Sequence, residues 1–210
     1  MRFDLHIHTR RHSSCSSIDP AALIPAALRA GLDGIVITEH EYQWSEAEIE
    51  ALRSQSPIPV FPVLSGFEYR TVRGDLLVYG LQEDAYKDFT PGMTPQEASA
   101  KVTALGGVCI AAHPTREGLD FDLAIADTQL AAIEVCSVNL RNHERRLAIN
   151  LSNALHIPYV AASDAHALAD VGRYASEFEP PMSTMTELQN ALRNGKFRVP
   201  DIVAAELGIS

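Results

Sequence analysis

The chain reads as a single α/β domain built around a largely parallel sheet. Short apolar runs alternate with amphipathic helical stretches along its length, the pattern of successive βα units. Of its 210 residues 46% are hydrophobic and 21% charged, enough for one sizeable core. Residues of metal-ligand type recur where the apolar runs end. No repeat, low-complexity tract or linker interrupts the pattern, so residues 1–210 are expected to form one domain.

The first strand is RFDLHIH, residues 2–8. Regular alternation would place Phe3, Leu5 and Ile7 on one face and Asp4, His6 and His8 on the other. A lone strand histidine is more often a hydrogen-bonded structural residue. Two at i and i+2 can instead converge on one ion. A helix follows over 18–31, opened by Asp19-Pro20 and stopped at Gly31. DGIVITEH, 33–40, is a strand ending in Glu39 and His40, and Ser45 caps a helix over 45–54. The strand region 58–68 ends in Glu68 and has a hairpin partner over 75–81. A helix over 94–106 leads into GVCIAAHP, which ends at His113. LAAIEVCS carries Glu134 and Cys136, a helix spans 142–156, and PYVAASDAH brings Asp164 and His166. The last clear helix covers 184–195.

The formal net charge of −10 argues against a sequence-independent grip on a nucleic-acid backbone, which needs clustered Lys and Arg. No stretch approaches the ~20 apolar residues of a membrane span, and a basic then apolar leader is lacking. Cys15, Cys109 and Cys136 are odd in number and form no CxxC, which suits a reducing compartment; the expected location is the cytoplasm. Cys109, inside an apolar run, is expected to be inert core, and Cys136 to line the mouth of the fold.

His8, Glu39 with His40, Glu68, His113, Glu134 with Cys136, and Asp164 with His166 all fall at or just past strand C-termini. In a parallel αβ barrel those ends share one face, so six strands would deliver ligand-type residues to one mouth. This pattern predicts a polynuclear metal site.

The ordered series DLHIHT, TEH at 38–40, GFE at 66–68, AHP at 112–114, IEVCS at 133–137 and SDAH at 163–166 closely resembles the polymerase and histidinol phosphatase (PHP) superfamily of metal-dependent phosphoesterases, as a stand-alone member. The motifs span 4–166, and the similarity runs to about residue 198. The resemblance implies a distorted (β/α)7 barrel with two or three divalent ions at its C-terminal mouth. It implies that His6, His8, Glu68 and Asp164 hold a first ion, that Glu68 and His113 share a second, and that His40 and His166 form the core of a third site. The chain departs from the family in having Glu39 where an aspartate is common. It has Asp75 in GDL where a histidine is common, readable as a ligand or as a turn residue. The loop after the first strand offers His12 and Cys15 as further ligands; a Cys15 thiolate would favour zinc, and the histidine and carboxylate ligands accept zinc, iron or manganese.

Such ions would activate water and neutralise phosphoryl oxygens, so the expected reaction is hydrolysis of a small phosphorylated metabolite or nucleotide. Glu39 or His166 would move protons. Arg116, in HPTREGLDFD, is the first candidate for substrate contact and catalysis; Arg70, Arg141 and Arg173 are further candidates for phosphate binding. Hydrolysis of an amide on a similar metal barrel and a regulatory domain that has lost activity are the alternatives. The presence of every histidine in the series favours an enzyme. Tyr42 and Trp44 read as a hydrophobic staple on the following helix.

Overall fold

The structure is a computed structural model that describes residues 1–56, 58, 60–122, 124–179 and 181–207. Among the described residues nine strands form one sheet: β1 (Arg2–Ile7), β2 (Gly34–His40), β3 (Val63–Arg70), β4 (Asp75–Tyr79), β5 (Val108–Ala112), β6 (Ala132–Cys136), β7 (Tyr159–Ala161), β8 (Ser176–Phe178) and β9 (Phe197–Arg198). Their spatial order is β7-β6-β5-β4-β3-β2-β1-β8-β9. Strands β1, β2 and β3 run parallel, as do β5, β6 and β7, whereas β4 is antiparallel to both of its neighbours. The sheet curls into a nearly closed barrel. Across the remaining gap the Ser176 hydroxyl accepts from the Ala161 N–H at 3.0 Å and donates to the Ala161 carbonyl at 2.9 Å.

Helices α1 (Pro20–Arg29), α2 (Glu46–Ser54), α3 (Pro95–Ala104), α4 (Asn142–Leu155), α5 (Met185–Arg193) and α6 (Asp201–Leu207) surround or close the barrel. Their starts are written in local chemistry. Asp19 caps α1 with Pro20 as the first helical residue, and Ser45–Glu48, Thr94–Glu97 and Thr184–Glu187 form reciprocal capping boxes. The short β8 and β9 and the terminal α6 are additions to the elements read from the sequence, because strands of three and two residues carry no measurable period. Among the described residues no helix is long and apolar enough to cross a membrane.

The lower barrel interior is dry. Phe3, Leu5, Val36, Leu64, Leu77, Tyr79 and Ile110 meet there, with Leu188 and Leu192 of α5 in the same cluster. A second layer, with Ile7, Ile35 and Ile37 among its members, packs β1 and β2 beneath α1 and α2.

Two ladder irregularities decide which side chains reach the mouth. On β1 the register moves from Asp4 opposite Ile35 to Ile7 opposite Ile37, one residue more on β1 than on β2. Phe3 and Leu5 therefore face inward with the apolar cluster, and His6 and His8 still face inward after the bulge. Asp4 does not share their face, contrary to simple alternation. It is fully buried and accepts from the N–H groups of Ser163 and Gly172, both at 2.9 Å. Burial raises its pKa to about 6 against those hydrogen bonds. A matching irregularity between Glu134 and Cys136 of β6 leaves Glu134 inward and turns Cys136 into the outer core. The expectation that Cys136 lines the mouth is thus corrected: it is fully buried, and burial pushes its thiol up to about 12. Cys109 is buried core as expected, its thiol donating to the Gln129 carbonyl.

Candidate metal centre

The mouth gathers side chains from β1, β2, β3, β4, β5 and the segment after β7. Among the described residues four groups have ligand atoms within 4.8 Å of one another: His6, His8 and Glu68; His6, His113 and Asp164; Glu68, Asp75 and His113; and His8, His40 and His166. Glu68 is nearly central. Its Oε2 lies 3.3 Å from His6 Nε2, 3.1 Å from His8 Nε2 and 3.1 Å from His40 Nδ1, while Oε1 lies 3.1 Å from His113 Nε2. Asp164 Oδ1 stands 3.3 Å from His6 Nε2 and 3.5 Å from His8 Nε2.

The antiparallel strand explains how Asp75 joins them. Parallel strands present their last residues at the mouth, but β4 enters from that side and presents its first. The turn that reverses the chain uses Gly74 at φ 90°, and Asp75 then pairs with Arg70 on β3 and Ala112 on β5. Two other members stand on strained backbone, His113 at φ 31° and Asp164 at φ 52°. Such positions cost on the order of 1 kcal/mol each and persist where surrounding contacts impose them. Here the Glu134 carboxylate accepts the His113 N–H at 2.9 Å, and Asn139 Nδ2 donates to Asp164 Oδ2 at 2.7 Å.

Outer hydrogen bonds fix the two strand imidazoles. His6 Nδ1 meets Glu134 Oε1 at 3.0 Å, and a carboxylate only accepts, so the proton sits on Nδ1. Ser13 Oγ gives its single proton to Glu39 Oε2 at 2.5 Å and so accepts from His8 Nδ1 at 3.3 Å. Both Nε2 lone pairs then face the same point, 3.0 Å apart. Two lone pairs at that distance repel unless a proton or a metal ion lies between them. The same centre holds a buried carboxylate oxygen, Glu68 Oε2, with no hydrogen bond, although three imidazole nitrogens stand within 3.3 Å. Imidazole nitrogens and carboxylate oxygens with outer-shell carboxylate support form the donor set of a divalent metal site, and the residues fit one.

The electrostatics point the same way. Burial opposes charging of His6, yet Asp164, Glu134 and Glu68 outweigh it and hold its pKa well above the usual value. His113 is raised to about 9, burial being overcome chiefly by Glu68. Glu68 and Asp164 lie below the carboxylate range because His6 overrides the burial penalty. The pocket is built for positive charge at its centre.

The remaining candidates divide. Arg116, Arg70 and Cys15 line the mouth cavity of about 560 Å³ with His40, Glu68, Asp75, His113, Asp164 and His166. Arg70 is paired with Asp75 at 3.1 Å. Arg116 has no ion-pair partner among the described residues. Cys15 is exposed at the rim but belongs to none of the ligand groups. His12 is also outside them: its Nε2 meets Glu48 Oε1 at 3.0 Å and its ring stacks on Tyr42 at 3.8 Å. Arg141 pairs with Glu117, and Arg173 lies over Tyr174, so neither lines the cavity.

Glu39, expected from the sequence to move protons, is held here as an anchor of the loop after β1. It is fully buried and accepts four hydrogen bonds, from Thr9 N and Oγ1, Ser13 Oγ and Trp44 Nε1. Trp44 is thereby buried beside it, consistent with a packing role. Glu134, Ser13 and Asn139 went unassigned as supports in the sequence. Of these only Glu134 left a signal, an acid at a strand end.

A family model described as PHP-associated matches residues 142–197. An uncharacterized protein of Methanocaldococcus jannaschii is 28% identical over 124 residues, covering 54% of this chain and 68% of that protein. Among solved structures, a Bifidobacterium adolescentis protein assigned as a metal-dependent phosphoesterase shares 18% identity at a TM-score of 0.57, covering 78% of this chain and 87% of that one. An amidohydrolase from Chromobacterium violaceum with bound sulfate shares 17% at a TM-score of 0.62, covering 95% and 98%. The lesion-specific endonuclease PfuEndoQ from Pyrococcus furiosus shares 19% at a TM-score of 0.64, covering 94% of this chain and 57% of its own. The PHP-associated match over residues 142–197 agrees with the resemblance carried by the motif order from DLHIHT to SDAH, and the solved structures share the fold of this chain.

Proposed function

We propose that the protein is a metal-dependent hydrolase of phosphate esters, acting on a small phosphorylated metabolite or nucleotide in the cytoplasm. The observation that carries the reading is Arg116: a guanidinium free of any described carboxylate partner lines the same cavity as the histidine and carboxylate cluster. A planar guanidinium fork matches two phosphoryl oxygens. The phosphoesterase and endonuclease among the similar structures act on such esters and support the assignment.

His6, His8, Glu68 and Asp164 would hold one divalent ion, Glu68, Asp75 and His113 a second, and His40 and His166 the rim of a third; zinc, manganese and iron all suit these donors. When bound, the ions supply Lewis-acid polarisation of the phosphoryl group and acidify water. The chain's own residues do the rest. Glu134 and Ser13 hold the imidazoles of His6 and His8 in the tautomer that aims Nε2 inward. His166 donates Nδ1–H to the Asp164 carbonyl at 3.0 Å, leaving the Nε2 lone pair at the rim for the third ion, and burial lowers its pKa, which favours the neutral ring that a ligand requires. Arg116 binds and orients the phosphoryl oxygens.

The C. violaceum likeness raises amide hydrolysis as a second reading. Amide hydrolysis does not by itself require a guanidinium at this position, whereas binding a phosphoryl group does. The test is Arg116→Ala in metal-loaded protein assayed on a panel of phosphomonoesters, phosphodiesters and amides. We expect unchanged metal content and a loss of phosphoesterase kcat/KM of about 10- to 100-fold. An amide as the only substrate turned over overturns the reading, and phosphoesterase activity unaffected by the substitution overturns the role given to Arg116.

A further inference from the structure

A second cavity, of about 490 Å³, opens beside the mouth and shares Glu41 and Arg70 with it. Its far walls are Val72, Tyr86, Phe89 and Pro91. It is therefore an extension of the mouth past Arg70 into a largely apolar recess, of a size that holds a drug-sized organic group.

The two cations and the threonine hydroxyl lining this recess are already paired. Arg70 Nε lies 3.1 Å from Asp75, and its backbone N–H donates to Glu41 Oε1 at 2.7 Å. Thr71 Oγ1 donates to the Gly74 carbonyl at 2.7 Å, and Lys87 is paired with Asp84 at 2.5 Å. No cation lining the recess is left without a carboxylate partner. A second phosphate would find nothing to neutralise it there, and Glu41 would repel it. What the recess offers instead is ring and methyl surface. Tyr86 stands between Tyr42 and Phe67, with centroids at 5.1 and 6.3 Å, and Val72 is 55% exposed at the edge. An apolar group entering would cover Val72 and one side of Tyr86 and remove both from water.

We propose that this recess seats the organic group of the substrate, an apolar, ring-sized body carried on a monoanionic or dianionic phosphoryl group and bearing no second phosphate. The proposal rests on the phosphate-ester reading above, with the phosphoryl group at the metal cluster and Arg116, and the organic group passing Arg70. Arg70 is then a divider with its charge spent on Asp75, and its stem forms part of the floor.

The experiment uses manganese-loaded full-length protein and three non-hydrolysable probes, methylphosphonate, phenylphosphonate and 3-phenylpropylphosphonate, titrated calorimetrically. We expect the better of the two phenyl compounds to bind about 10-fold or more tightly than methylphosphonate, a difference of about 1.4 kcal/mol. Val72→Asp places a charge on an exposed edge position, where it leaves the core intact, and should abolish that preference. Tyr86→Phe should retain the preference, and Tyr86→Ala should reduce it.

Equal affinities for all three phosphonates in the wild type overturn the recess as the organic-group seat, as does a preference that survives both Val72→Asp and Tyr86→Ala. Failure to bind any phosphonate overturns it together with the phosphate reading. A clear phenyl preference in a protein that hydrolyses no phosphate ester leaves the recess assignment standing and removes only the hydrolytic reading. Turnover of 4-nitrophenyl phosphate and glycerol phosphate, measured alongside, separates these cases.

Discussion

The floor and the mouth of this barrel are made by the same strands yet obey different rules. On the floor the alternation is regular: Leu64, Leu77, Tyr79 and Ile110 point inward from successive strands and α5 seals them with Leu188 and Leu192. At the mouth the same strands bulge, reverse or take left-handed backbone. β1 and β6 each carry one extra residue, β4 runs against its neighbours, and His113, Asp164 and Glu41 all have positive φ. The floor is stabilised chiefly by apolar burial, with the Tyr79 hydroxyl donating to the Leu5 carbonyl at 3.0 Å. The mouth concentrates carboxylates and imidazoles at hydrogen-bond distance with lone pairs in opposition, an arrangement that becomes favourable only with cations among them. The difference teaches that the floor is what holds the protein folded, and the mouth spends part of that stability on geometry.

The largest expected effect breaks the mouth alone. Glu68→Gln keeps the side-chain volume but removes the negative charge that faces four imidazoles, so bound metal by elemental analysis should fall by at least one equivalent and turnover by about 100-fold or more. Its metal-free thermal stability should stay close to that of chelator-treated wild type. Full activity in a metal-replete variant would refute the central role given to this carboxylate.

Next in size is the reciprocal change on the floor. Leu188→Ala empties a fully buried position in the α5 seal and should destabilise the protein by about 2–5 kcal/mol in denaturant titration. Metal stoichiometry at low temperature should be unchanged. Loss of metal from a folded Leu188→Ala protein would show that floor and mouth are mechanically coupled, against the division drawn here.

The smallest effect lies on the outer edge of the mouth. Glu48 closes the capping box of α2 and also accepts from His12 and Tyr42. Burial works against its ionisation, but the Ser45 N–H, His12 and Tyr42 prevail and lower its pKa to about 2. A depressed carboxylate adds stability above its unfolded value near 4.5, and this is lost as pH falls through about 2. Glu48→Gln should therefore cost about 1 kcal/mol at pH 7. The gap from wild type should narrow steadily as pH falls below 4.5; a gap that stays constant to pH 2 would dissociate the effect from ionisation.

The same division explains what could be read in advance. The parallel strands, the capped helices and the ligand-type residues at strand ends are local signals, and His6, His8, His40, Glu68, His113, Asp164 and His166 do converge. The alternation argument misplaced Asp4 and Cys136 because a bulge changes face parity without marking the sequence. Asp75 was ambiguous because its place depends on β4 running backwards, a fact about pairing and not about residue type. His12 looked equivalent to the other histidines until Glu48, 36 positions away, claimed its ring nitrogen. Composition likewise could not show that Glu39 is saturated by Thr9, Ser13 and Trp44, since those partners meet only in three dimensions.

The joint between β7 and β8 has a consequence for how the barrel breathes. Elsewhere around the wall neighbouring strands are stitched by repeated main-chain bonds, but here one hydroxyl, that of Ser176, serves both the N–H and the carbonyl of Ala161. A hydroxyl can rotate away without unzipping a ladder. The seam is accordingly fastened in two ways, by a hydroxyl latch at Ser176 and, nearer the mouth, by main-chain bonds from His8 N–H to the Ala165 carbonyl and from Ala165 N–H to the His6 carbonyl. Asp164, beside Ala165, sits on the stitched part, so a swing of the latch leaves the cluster in place.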